Sequence, residues 1–395
     1  EIYPFNIVEN ERFRKLVGHA SSDRLMSRKT MSKELPIFVE KRRAVVRAMI
    51  RGAGDDTKWS VGFDGWRSDN LAEFLGITLH GISTKWERID VCLGAIPLFD
   101  ARHTGVVLAE NVAKTLKIFG VRLDNVHAMV HDNASNVCAA VTICQRKNAN
   151  IVDSRCIIHT IQLAVKKGCQ EEEVKRMCSR GQSVVNHLHK SPGDTKKLRA
   201  SEANPNSLNV KTFSATRWDG ECDSWHRFGE LKHALLDFDE RTNTWMVLTR
   251  TDFALMDALC ACLEKFREAT KEFSCQTTVC AGLACPAYMT LINYALAKAE
   301  DAESGGDSIS DAVRVVGKVA HQIAKDMMER LPQMIKGGMA VAAILDPRFR
   351  DACLKAFEML LDGFGETMLA KVKERIKELI SPMPCEDAAA EPVSE

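Results

Sequence analysis

Two stretches, Lys58-Trp-Ser-Val-Gly-Phe-Asp64 and Val126-His-Ala-Met-Val-His-Asp132, decide how this chain is read. Each is an apolar, β-branched run that ends in an aspartate, the pattern of a strand carrying a carboxylate at its C-terminal end. Gly65-Trp-Arg-Ser follows the first. Asn133-Ala-Ser-Asn-Val-Cys-Ala-Ala follows the second, and its small residues with an Asn in capping position predict the start of a helix. Open α/β sheets place their chemistry outside the carboxyl ends of strands. If these two strands are neighbours, Asp64 and Asp132 converge and can share divalent metal ions.

Around the two runs the period alternates between strand and helix. Phe74 to His80 and Ile89 to Leu98 read as strands separated by the turn Gly81-Ile-Ser-Thr-Lys85. Three successive strands joined by short turns are expected to be antiparallel. Val106 to Phe119 has helical spacing, and a helix of that length is a crossover, which makes the strand ending at Asp132 parallel to one of the first three. Helix Ala134 to Lys147, a short strand Ile151 to Ile158, and a helix from His159 through Lys167 that continues towards His189 complete the series. The order βββαβαβα is that of an α/β, ribonuclease-H-like mixed sheet.

The flanks read differently. Residues 1–55 form an N-terminal helical segment, with a polar turn from Ser27 and a helix over Glu34 to Arg51. Arg43, Arg47 and Arg51 repeat every four residues and line one face; that face either tracks a phosphate backbone or is a solvated surface. The sheet core spans 56–190. A breaker-rich loop, 191–211, opens a region to 384 that is largely helical: Trp225 to Asp237, Asp252 to Phe273, Pro286 to Ala302, Ile309 to Leu331. Asp346-Pro347 reads as an N-cap with proline at the first helical position, starting a helix Arg348 to Leu361. The acidic, Ala/Pro-rich tail 385–395 is expected to be disordered.

Composition bounds the rest. With 395 residues, 45% hydrophobic, 27% charged and a net charge of +1, the chain has room for a sizeable core and no global attraction to polyanions. No run of about 18 apolar residues occurs, so no membrane span is expected. The start at Glu1, with no signal pattern, reads as a piece of a longer product. Fourteen cysteines at irregular spacing read as reduced intracellular thiols, and neither Cys260/Cys262 nor Cys275, Cys280 and Cys285 has zinc-finger spacing. No zinc site is expected within the chain.

Five ordered blocks carry a resemblance: Phe63-Asp-Gly-Trp-Arg-Ser, His131-Asp-Asn-Ala-Ser-Asn, Cys156-Ile-Ile-His-Thr-Ile-Gln-Leu-Ala-Val, Ala215-Thr-Arg-Trp and Ala342-Ala-Ile-Leu-Asp-Pro-Arg-Phe. Together they resemble the hAT-superfamily transposases, especially those with a BED zinc finger, and Pro4 to Phe13 and Ser27-Arg-Lys-Thr30 are similar to the family's region just after that finger. The resemblance covers about residues 3 to 350. It implies a nuclear DNA-handling protein with a helical domain inserted into a ribonuclease-H-like fold. It also implies Mg2+ or Mn2+ as cofactor, DNA as partner, and self-association through a segment missing here.

Two-metal phosphoryl chemistry needs carboxylates holding two hard cations about 3.5–4 Å apart. The family pattern puts Asp64 and Asp132 in that role as catalytic metal ligands. Its third ligand, a glutamate in a Ser-Glu-Arg block, has no counterpart; Glu358, Glu366, Glu374 and Glu378 lack the surrounding motif. The chain either stops before that glutamate or has lost it, and an inactive derivative is expected. The resemblance further implies that His159, near Cys156, contacts DNA, and that Trp218 after Arg217 stacks on an unpaired base. From the residues alone, Trp218 reads equally as an ordinary buried tryptophan. Trp66 reads as packing beneath the site. The competing class is a non-enzymatic DNA-binding or protein-interaction module on the same scaffold.

Overall fold

The computed structural model describes residues 10, 11, 13, 26–68, 72–98, 103–213, 218–242, 247–274, 281–306 and 310–349, together with 370, 374 and 377. Helix α1 (Arg28–Gly52) starts where the Ser27 hydroxyl accepts the Thr30 N–H at 3.1 Å. Its last turns meet the sheet core through half-buried Val46 and buried Ile50 and Ala53.

Strands β1 (Trp59–Arg67), β2 (Glu73–Ile82) and β3 (Arg88–Pro97) pair antiparallel in sequence. Strand β1 buries Trp59, Val61 and Phe63 and turns Ser60, Gly62 and Asp64 to the opposite face, the two-residue period of a strand. Helix α2 (Gly105–Ile118), capped by Thr104, crosses over to β4 (Val126–His131), which lies parallel to β1. Then come α3 (Ser135–Gln145), β5 (Val152–Arg155) and α4 (Ile157–Gly168). The five-stranded mixed sheet has the order β3-β2-β1-β4-β5, and the elements follow one another as βββαβαβα. The chain is an α/β protein. In β3, Leu93 is an extra residue: Ile77 pairs with Gly94 but Thr78 with Cys92, a β-bulge.

Several boundaries differ from the sequence reading for local reasons. The short strand stops at Arg155, and Ile157 and Ile158 belong to α4 instead. Buried Ile157, Ile161, Ala164, Val165 and Gly168 fall at helical spacing, which outweighs the β preference of two isoleucines. Gly168 ends that helix at a close approach, since a Cβ there would lie 2.8 Å from the Val319 carbonyl oxygen and 2.5 Å from Ile323 Cγ1. The helix does not continue to His189: a turn closed by the Gln170 N–H on the Lys167 carbonyl oxygen and the Glu171 N–H on the Gly168 carbonyl oxygen leads into a separate α5 (Glu172–Lys190).

The chain divides into two compact units, Glu1–Asp153 and Ser154–Glu395. This division falls earlier than residue 190 because α4 and α5 bury Ile161, Val165, Met177 and Val184 in the second unit's helical core. That unit continues with α6 (Pro192–Arg199), α7 (Trp218–Glu230), α8 (Lys232–Thr242), α9 (Arg250–Phe273), α10 (Ala281–Ser304), α11 (Asp311–Met334) and α12 (Ala340–Leu345). Trp225, Phe228, Phe253, Phe266 and Tyr288 fill its centre, and the Tyr288 hydroxyl donates to the Met327 carbonyl at 3.1 Å. Asp346 makes a bond of the kind expected of an N-cap. It closes α12, and its carboxylate accepts the Arg348 N–H at 3.0 Å; residues from 350, including the expected helix to Leu361 and the tail 385–395, lie outside the described residues apart from three isolated positions. No helix among the described residues is long and apolar enough to cross a membrane.

Part of the expected loop 191–211 is helix α6. Ser191 caps it through the Asp194 N–H, and Pro192 takes the first helical position. Hydrogen bonds from His187, then Ser191 and Lys197, hold the Asp194 carboxyl down at about 2. The unfolded carboxyl titrates near 3.9, so this contribution is complete above that value and is lost as pH falls towards 2. The expected result is that wild-type thermal stability falls between pH 4 and 2, and that Asp194→Asn is less stable than wild type at neutral pH with the gap closing in that window. Circular dichroism melts at stepped pH measure it.

Candidate metal and nucleic-acid site

Along β1 and β4 the parallel register runs Ser60 with Ala128, Val61 with Met129 and Gly62 with Val130. That register ends there: Asp64 and Asp132 each stand two residues beyond the last pair, Asp132 just past the end of β4. By the same alternation both side chains take the face of Gly62 and Val130. Asp64 is exposed and Asp132 half-buried. Asp64 is not at the end of its strand, however. Pairing with β2 continues through Gly65, Trp66 and Arg67, tied off by Arg67 Nε on Glu73 at 3.0 Å. Asp64 thus sits just past the point where β1 and β4 part.

Asp132 is held by its surroundings. Its Oδ1 accepts the Ala134 N–H at 3.0 Å, the short-range turn that Asp side chains make ahead of a helix. His131 next to it faces the core: its ring is buried, stacks on Phe63 at 5.8 Å between centroids, and bonds Asp153 Oδ1 through Nε2 at 2.7 Å. Its Nδ1 meets the Asp132 carbonyl oxygen at 2.5 Å. One buried imidazole therefore fixes the backbone that presents Asp132 and anchors it to β5. Sequence reading missed this pair; the signal was present in the alternation of β4, which sends His131 inward when Asp132 points outward.

The face around Asp64 is shaped by Trp66 and Gly76. Trp66 is 46% exposed and stacks on Phe74 at 5.6 Å, so it lies beside Asp64 on the same face instead of beneath the site. A Cβ on Gly76, the β2 partner of Asp64, would come 2.9 Å from the Trp66 ring. Glu73 supplies no third ligand here, because it is engaged by Arg67 and by His103 at 2.7 Å and belongs to the other face of β2. Among the described residues, no three His, Cys, Asp or Glu side chains are grouped to hold a metal ion.

No protein-family model matches the chain. Over 293 residues, 69% of its length, it is 24% identical to a Zea mays protein named "Putative AC transposase". The chain is a distant relative of a transposase. It spans about a third of that relative, 34% of whose length is matched.

The other residues singled out for this transposase-like reading fall as follows. Arg43, Arg47 and Arg51 share one side of α1, but Glu40 lies among them, bonded to Arg47 and 3.7 Å from Arg43, which lowers the positive charge of that face. Cys156 is the N-cap of α4 and His159 stands in its first turn, half-buried, in the second unit. Arg217 lies outside the described residues, as do Glu358, Glu366 and Glu378; Glu374 is exposed. Of the two readings of Trp218, stacking on a base or ordinary burial, the structure corrects the first: the residue opens α7 and is 3% exposed within the helical core. Its 150–250 Å² of apolar ring packs there, and neither ring face is open to a base. The cysteines that the structure describes are free thiols; burial pushes Cys178 up to about 12 and Cys262 to about 11, which makes them inert packing groups.

Proposed function

We propose that this chain is an hAT-like, transposase-derived DNA-handling protein whose sheet is a ribonuclease-H-like core, and that the chain by itself cuts no DNA. The single observation supporting the reading is the parallel β1/β4 register, whose last pair, Gly62 with Val130, is followed two residues on by Asp64 on one chain segment and Asp132 on the other, in a sheet ordered β3-β2-β1-β4-β5. The maize relative supports the transposase part. Asp64 and Asp132 are the pair that would hold Mg2+ or Mn2+. Supplied there, the metals would activate an attacking oxygen and stabilise a leaving one. Two carboxylates are fewer anionic ligands than that geometry needs, and Mg2+ gives up its water reluctantly. Nuclear residence, a BED finger elsewhere in the parent protein, and DNA contacts from His159, Arg217 and the Arg43, Arg47, Arg51 face belong to the same proposal.

The test uses the purified chain on labelled duplex DNA with Mg2+ or Mn2+, alongside Asp132→Asn. No cleavage or joining is expected from either. Weak binding is expected, falling with salt at a slope of about −0.9 per phosphate neutralised. Cleavage that vanishes in Asp132→Asn would show a complete active site and overturn the inactive reading. Absence of any salt-sensitive binding would overturn DNA handling and leave a protein-interaction module.

A further inference from the structure

Among the described residues, helix α1 leaves much of its apolar side exposed, with Met31 half-buried. Only its last turns pack on the sheet core, through Val46 and Ile50, yet Leu35 is 44%, Phe38 53%, Val45 57% and Met49 46% exposed. With Met31 and Arg42 these residues form the series 31, 35, 38, 42, 45, 49, alternating steps of four and three. That is the seam of a coiled coil, which calls for a second helix of the same spacing. Pro36, the proline inside α1, falls outside the seam.

We propose that a second copy of this chain covers the seam, with the two α1 helices antiparallel and centred on Glu40. Charge decides between the possible pairings. In a parallel pair Arg42 would meet its own copy, and the flanking Glu34 and Lys41 would face Val39 and Val46 of the other helix. In the antiparallel pair Leu35 lies opposite Val45, Met31 opposite Met49, and Arg42 opposite Phe38. An arginine over a phenyl ring is favourable, and within one helix Arg42 already lies 5.3 Å from the Phe38 centroid. Glu34 and Lys41 flank the seam on one side, so each reaches the opposite charge on the second helix. A lone polar seam residue of this kind selects orientation and register. The inference concerns α1 alone and is independent of any DNA chemistry.

Sedimentation equilibrium of the full chain tests it, with circular dichroism to confirm folding. A dimer is expected, Phe38→Glu with Val45→Glu yielding monomer. Lys41→Glu is expected to weaken association at least about tenfold by setting Glu34 against a new acid, and the double exchange Glu34→Lys, Lys41→Glu to restore it. A wild-type monomer at every concentration reached, or a dimer indifferent to Phe38→Glu with Val45→Glu, overturns the proposal. Dissociation by the apolar-face variant with no response to the charge exchanges also overturns it, because the antiparallel pairing would be absent.

Discussion

Trp225→Ala is expected to destabilise the helical unit by about 3–5 kcal/mol, the range for emptying a buried aromatic site. The ring is 1% exposed, in a core that also holds Phe228, Phe253 and Phe266. The indole N–H has no hydrogen-bond partner of normal geometry among the described residues, although it is near enough to the Cys178 thiol to favour its thiolate slightly against burial. A buried donor without a proper acceptor already costs stability in the wild type. Trp225→Phe removes that donor and keeps most of the volume, so it is expected to cost only about 1–2 kcal/mol. Urea unfolding followed by circular dichroism separates the two. Equal losses from both variants would show that the indole N–H is well satisfied.

The second large effect is expected at His131, by contrast with His80. Both imidazoles bond an aspartate at 2.7 Å, His131 to Asp153 and His80 to Asp90. The His131 side chain is fully buried, whereas that of His80 is 46% exposed. Removing a buried hydrogen-bonded ring leaves a cavity beside Phe63 and frees the Asp132 carbonyl, so His131→Ala is expected to cost about 3 kcal/mol. An exposed pair contributes about 0–1 kcal/mol, which bounds His80→Ala. Hydrogen exchange at Asn133 to Ser135 is expected to quicken only in His131→Ala. Similar losses in the two variants would mean that burial does not govern these pairs.

The sheet was legible because its strands obey a period of two with little interruption. Trp59, Val61, Phe63 and Leu75, Ile77, Leu79 are buried at alternate positions, and a 14-residue α2 fixes the parallel crossover. Less legible were the places where two preferences compete over a few residues. Ile157 and Ile158 favour strand in isolation but complete a helical stripe with Ile161 and Val165. Ser191-Pro192 reads as a breaker, yet the same residues start a helix when a cap is formed. At the candidate site Asp64 and Asp132 stood out as carboxylates after apolar runs. His131 did not, since a core-facing histidine is visible only once the strand's inward positions are assigned. Trp218 shows the converse: contact residue and buried tryptophan were equally open from the sequence, and tertiary packing decides for burial.

The outer strand of the sheet has a consequence for how this protein survives its own concentration. β3 ends the sheet on one side, and its central run Val91-Cys-Leu-Gly-Ala-Ile96 is apolar enough to recruit a neighbouring chain through unpaired amides. The bulge at Leu93 throws that run out of register, Pro97 removes a donor at its end, and the Arg88–Asp90 ion pair, 2.5 Å across, charges its beginning. The opposite edge, β5, is only four residues long. Each border of the sheet is thus irregular or short, which works against growth by edge addition.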